Sequence, residues 1–90
     1  TGCGHSGIVN IIRYAKRLTG VAKVYAVMGG FHLSGRLFEP AIPPTVAALA
    51  AESPLFVVPA HCTGWTAQLA LAAGLPEAFT PNSVGSRFEL

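Results

Sequence analysis

The stretch that decides the fold is Ala22-Lys23-Val24-Tyr25-Ala26-Val27-Met28-Gly29-Gly30-Phe31-His32. Residues 22–28 are few, rich in Val and Tyr and closed by two glycines, which predicts a buried strand over 22–28 with its exit at Gly29-Gly30. Upstream, Ile8, Ile11, Ile12, Ala15 and Leu18 recur at helical spacing with Asn10, Arg13, Lys16 and Arg17 on the other side, predicting a helix over 6–19. Gly20 supplies the left-handed residue that ends it, and the basic last turn suits the negative end of the helix dipole. Downstream, 31–42 mixes Gly, Pro and polar residues and reads as a loop leaving the strand end, long enough to act as a lid. Pro43-Pro44-Thr45 opens a second helix through Glu52, which Ser53-Pro54 stops. Residues 55–58 form a second buried strand whose exit is marked by Pro59 and His61. Thr63 or Gly64 caps a third helix through Ala73, ended by Gly74 and Pro76. Val84, Ser86, Phe88 and Leu90 alternate in an edge strand over 83–90. Helices and strands that alternate in this way define an α/β fold with parallel strands and right-handed crossovers.

The 90 residues make at most one domain with a modest core. The chain opens on a Gly-rich turn of the kind that follows a strand, so it is expected to be the C-terminal part of a larger single domain, 1–90, whose first strand lies elsewhere. Hydrophobic residues make up 51% and charged residues 11%, and mean hydropathy is +0.50. That apolar balance fits a surface that meets a further half of the domain. Gly, Pro, Lys or His interrupts every apolar run well short of the roughly 20 residues that a membrane helix requires. The net charge of +2 carries no basic cluster beyond Arg13, Lys16 and Arg17, so nucleic acid is not an expected partner. Two cysteines with no secretory signal point to a reducing compartment, the cytoplasm. Aspartate is absent, so the carboxylates of any hydrolytic site would have to come from elsewhere.

Each of the three histidines sits among small residues just past a strand end: Thr1-Gly2-Cys3-Gly4-His5-Ser6-Gly7, Gly29-Gly30-Phe31-His32 and Pro59-Ala60-His61-Cys62-Thr63-Gly64. Open parallel sheets bind ligands outside the carboxyl ends of their strands, and nitrogen with sulfur donors there select a borderline-soft divalent ion such as zinc. His5 and His61 are expected in one crevice as metal ligands. Cys3 is open to three readings: ligand, thiolate at a helix N-terminus, or packed small residue. Adjacent side chains on extended backbone point to opposite faces, so His61 is taken as ligand and Cys62 as packing. A structural zinc on Cys3, His5, His61 and Cys62 stays open, although Cys-x-x-Cys knuckles are lacking. His32 is the candidate to bind substrate or donate a proton. The blander readings are a helix cap for His5 and a bond to a loop carbonyl for His32. Phe31 and Trp65 read as core or rim.

Taken together, Thr-Gly-Cys-Gly-His-Ser-Gly-Ile-Val-Asn, Tyr-Ala-Val-Met-Gly-Gly-Phe-His-Leu and Val-Pro-Ala-His-Cys-Thr-Gly resemble the C-terminal half of metallo-β-lactamase-fold hydrolases. The branch they resemble is that of 7,8-dihydropterin-6-methyl-4-(β-D-ribofuranosyl)aminobenzene 5′-phosphate synthase. The resemblance covers nearly the whole chain and implies half of an αββα sandwich that holds one or two ions of zinc or another divalent transition metal. The family's first ligands come from a His-x-His-x-Asp-His motif that is absent here. By resemblance, His61 matches the last metal histidine, Cys3 stands where many relatives place a bridging aspartate, His5 follows in the branch's own pattern, and His32 belongs to the substrate side. The implied chemistry is metal-assisted hydrolysis or group transfer on a phosphoryl or carbonyl group of a small molecule. With half of the machinery present, the 90 residues alone are expected to bind metal weakly and to turn over little. Two other classes stand beside this one. The first is a non-catalytic half-domain that self-associates or docks on a partner through an exposed sheet edge. The second is thiol chemistry at Cys3.

Overall fold

The computed structural model describes residues 1–82 and 85–87. Along the chain come α1 (Ile8–Thr19), β1 (Ala26–Gly29), a single 3₁₀ turn (Glu39–Ala41), α2 (Ile42–Glu52), β2 (Phe56–Pro59) and α3 (Trp65–Gly74). β1 and β2 pair in parallel, with Ala26 opposite Phe56 and Gly29 opposite Pro59, so both strands end at the same level. Phe79 bridges Val57 on the far side of β2, where the Val57 N–H donates to Ala78 and the Thr80 N–H to Val57. On the near side of β1, the Gly30 N–H donates to the Gly2 carbonyl at 2.7 Å. α1 touches α2 and α2 touches α3, a continuous helical layer beside the sheet.

The alternation read from the sequence is therefore present, with local differences. β1 starts four residues later than expected, because only 26–29 find partners in β2; Val21 and Lys23 are exposed. In α1 the buried residues are Ile8 and Ile12, whereas Ala15 and Leu18 face outward. Gly20 closes α1 as expected, at φ 70 with its N–H on the Lys16 carbonyl. The proline-rich start of α2 lies one residue earlier, at Ile42, and follows directly on the 3₁₀ turn within the stretch read as loop. Of the edge strand expected over 83–90, Ser83, Val84 and 88–90 lie outside the described residues; 85–87 carry no strand.

The core consists of aliphatic side chains from every layer: Ile8 and Ile12 of α1, Val27, Leu49 of α2, Val57, Ala67 and Leu71 of α3, together with Phe31 and Leu33 just past β1. Leu49, Val57 and Leu71 are fully buried. Leu49→Ala is expected to lower unfolding free energy by about 2–5 kcal/mol, the range for buried leucine truncations, read as a shifted midpoint in urea unfolding. α1 and α2 are also joined by Lys16 and Glu52 at 2.8 Å, a half-exposed pair of modest worth. Phe31 is thus core, while Trp65 at the start of α3 is 72% exposed and belongs to the rim.

Candidate metal centre

Both parallel strands deliver their exits to one end of the sheet, and three turns meet there. Backbone hydrogen bonds lock them together: Ala60 N–H to the Gly29 carbonyl, Leu33 N–H to Cys62, and Gly64 N–H back to Leu33. Thr63 is the buried polar side chain at this junction, and its Oγ1 accepts the Phe31 N–H at 3.1 Å. Thr63→Val would leave that N–H without an acceptor, at an expected cost of about 1–3 kcal/mol; unfolding by urea together with exchange of the Phe31 amide checks it. Space here is tight enough to require glycine at Gly30. A Cβ there would lie 2.6 Å from the Gly2 oxygen, 2.7 Å from Cys62 Sγ and 2.8 Å from the His61 oxygen.

On this scaffold Cys3, His61 and Cys62 converge, their ligand atoms all within 4.8 Å of one another. Cys3 Sγ stands 3.0 Å from His61 Nε2. Cys62 Sγ donates to the Cys3 carbonyl at 3.1 Å and accepts the His32 N–H at 3.3 Å. A tetrahedral zinc ion, with bonds of about 2.0–2.3 Å, holds its donors some 3.3–3.8 Å apart. Two sulfurs and one imidazole nitrogen match the softness of such an ion, and with 3.0 Å between Cys3 and His61 and no pair beyond 4.8 Å they would have to adjust by up to about 1 Å to reach that spacing. Three protein donors also leave room for a fourth ligand, the arrangement of catalytic sites.

Of the candidate ligands His5, His61 and Cys3, the structure brings Cys3 and His61 together, and Cys62, read mainly as packing, lies beside them. The reason is local: Cys62 has φ 56, a left-handed conformation rare outside glycine, which breaks the extended alternation assumed for neighbours. His5 is not a member of this group. Its ring lies on that of His32, centroids 4.4 Å apart, and it makes no capping bond to α1. His32 also adopts positive φ, at 53, and Phe38 of the following loop meets its ring edge-on at 4.8 Å. Among the described residues, Nδ1 of His32 is the buried side-chain polar atom left without a hydrogen-bond partner, so the loop-carbonyl reading does not hold for it. Buried polar atoms are normally satisfied, so this one stands out beside the donor cluster. Thr63, read from the sequence only as a helix cap, is what sequence reasoning missed, and Cys62 enters there as a ligand only in the four-residue alternative. The Thr-Gly that follows Cys62 hints at a turn but does not show which residue takes the left-handed conformation.

No helix among the described residues is long and apolar enough to cross a membrane. No family model matches the chain. It is 40% identical over 68 residues, 76% of its length, to the 7,8-dihydropterin-6-methyl-4-(β-D-ribofuranosyl)aminobenzene 5′-phosphate synthase of Methanocaldococcus jannaschii. An uncharacterized protein of the same organism is 37% identical over 67 residues. The chain spans 23% and 24% of the length of these two relatives. All of it superposes on 34% of the crystal structure of Tm1679, a metal-dependent hydrolase of the β-lactamase superfamily, with TM-score 0.88 and 30% identity. By sequence and by fold, this chain is homologous to a metal-dependent hydrolase of the β-lactamase superfamily, and its three glycine- and histidine-bearing turns lie in the shared region.

Proposed function

We propose that this chain contributes the metal-binding and proton-handling turns of a metal-dependent hydrolase acting on a phosphoryl or carbonyl group of a small molecule. The observation that carries this reading is the convergence of Cys3, His61 and Cys62 at the shared carboxyl end of two parallel strands. These three residues would hold a divalent transition ion, zinc by the character of the donors. When bound, such an ion polarises the scissile group and makes its water acidic enough to attack near neutral pH. The rest falls to the protein. The His32 N–H on Cys62 Sγ orients that sulfur, as outer hydrogen bonds do for metal ligands. The His32 ring lies between His5 and Phe38 with its buried Nδ1 unpartnered, and we assign to this side chain the handling of a proton on the substrate side. His5 was expected as a direct ligand; the geometry supports it better as the ring that steadies His32.

The test is turnover of a chromogenic phosphate ester and a thioester by zinc-loaded protein in its longest natural form. His32→Ala is expected to lower kcat about a hundredfold or more, as loss of a general acid–base does, with metal content unchanged. Unchanged kcat in that variant would remove His32 from the chemistry. Background turnover of both ester classes by metal-loaded protein would count against hydrolysis itself.

A second reading, docking or self-association, has its own observation. Tyr14, Leu18, Val21 and Tyr25 are exposed together with Leu55, and a groove of about 310 Å³ lined by Ile8, Ile11, Ile12, Val24 and Met28 runs between α1 and β1. Apolar surface of this kind meets another surface more often than water. Sedimentation of the chain as a compact monomer without added metal would count against it.

A further inference from the structure

Cys3 and Cys62 are free thiols, the first exposed and the second half-buried, and their sulfurs lie within 4.8 Å of each other. Cys62 Sγ already rests on the Cys3 backbone, 3.1 Å from its carbonyl oxygen. A disulfide needs an S–S distance of about 2.05 Å, so the two sulfurs have less than about 3 Å left to close. Cys3 stands between Gly2, where an added Cβ would meet nothing within 4 Å, and Gly4, which is packed against the Gly30 carbonyl, so the turn is free on its Gly2 side and fixed on the other. The outer sulfur, on exposed Cys3, is the one an oxidant in solution reaches first, and the inner one, on half-buried Cys62, stands behind it.

We propose that Cys3 and Cys62 are a reversible oxidation site, in which a peroxide closes a Cys3–Cys62 disulfide and a dithiol reductant reopens it. In the first step the Cys3 sulfur attacks one peroxide oxygen. The S–O bond forms, the O–O bond breaks, and the thiol proton passes through His61 Nε2, 3.0 Å away, to the departing hydroxide, giving water. In the second step the Cys62 sulfur attacks the Cys3 sulfur. The S–S bond forms, the S–O bond breaks, and the Cys62 proton leaves with hydroxide as a second water. The two sulfurs give up two electrons and the peroxide takes them. Closure removes two of the three donors and leaves His61 alone, so oxidation and metal occupancy exclude each other. That consequence rests on the metal reading above; the pairing does not.

The experiment follows peroxide oxidation of the full chain by intact mass and by alkylation of remaining thiols, with and without zinc, and in urea. The expected product is an intramolecular Cys3–Cys62 disulfide, formed at least about tenfold faster in the folded chain than in urea, where a span of 59 residues brings the sulfurs together only rarely. Cys62→Ser should halt at a Cys3 sulfenic acid that dimedone traps. Cys3-linked dimers, or over-oxidised Cys3 with Cys62 still open to alkylation, would overturn the proposal, as would equal rates in urea. Zinc at about 100 times its Kd should slow closure roughly a hundredfold, by the fraction of protein it leaves metal-free. Fast closure that zinc leaves untouched would uphold the oxidation site and overturn the metal reading alone.

Discussion

His61→Ala is expected to abolish stable metal binding and bring turnover to background, while leaving the fold intact. His61 is exposed, and its Nε2 makes one contact, to Cys3 Sγ, so its removal opens no cavity and strands no buried group. Losing an outer hydrogen-bond partner already costs a metal site about 10- to 100-fold in affinity. Losing the one nitrogen donor from a set of three is therefore expected to cost more than about a hundredfold. Calorimetric titration with zinc and circular dichroism on the same sample check both halves. Retained zinc affinity in a folded variant would take His61 out of the ligand set.

Gly30→Ala is expected to damage stability and site together. The added carbon would fall within 2.6–2.8 Å of two backbone oxygens and of Cys62 Sγ. The oxygens belong to the turns at Gly2 and His61 and have no rotamer to escape into, so the turns themselves must part. Overpacking of this kind costs about 1–3 kcal/mol, and more where backbone has to move. Because the displaced atoms are those that carry Cys3, His61 and Cys62, zinc affinity should fall even where the variant still folds. Gly2→Ala is the control within the same turn: its Cβ would meet nothing within 4 Å, and both stability and affinity should stay near those of the parent chain. Wild-type behaviour of Gly30→Ala would mean that the three turns do not pack as described.

These two substitutions also show how far the sequence could be read. Gly29-Gly30 marked the end of a strand and a place where backbone comes close, because few other arrangements need paired glycines after a Val-rich run. The periodicity of α1 and its Gly20 cap were equally plain, since both rest on local chemistry. The positions of His5, His32 and His61 past strand ends pointed to one rim of the sheet. What could not be read was the direction in which side chains leave that rim. His32 and Cys62 both take positive φ, a choice made by the hydrogen bonds between turns and not by the residues themselves. That choice brings Cys62 into the donor set and turns His32 towards His5. The length of β1 was likewise set by its partner: 22–25 have strand-forming residues, but the ladder with β2 begins at Ala26.

The most direct test of a metal centre at Cys3, His61 and Cys62 is elemental analysis of protein purified in its longest natural form without chelator, followed by replacement of the metal with cobalt(II) and an absorption spectrum. The expected result is a bound transition ion and, after replacement, a thiolate-to-cobalt charge-transfer band that weakens in Cys62→Ser and vanishes with His61→Ala. Folded protein that carries no ion and shows no such band on adding cobalt would contradict it.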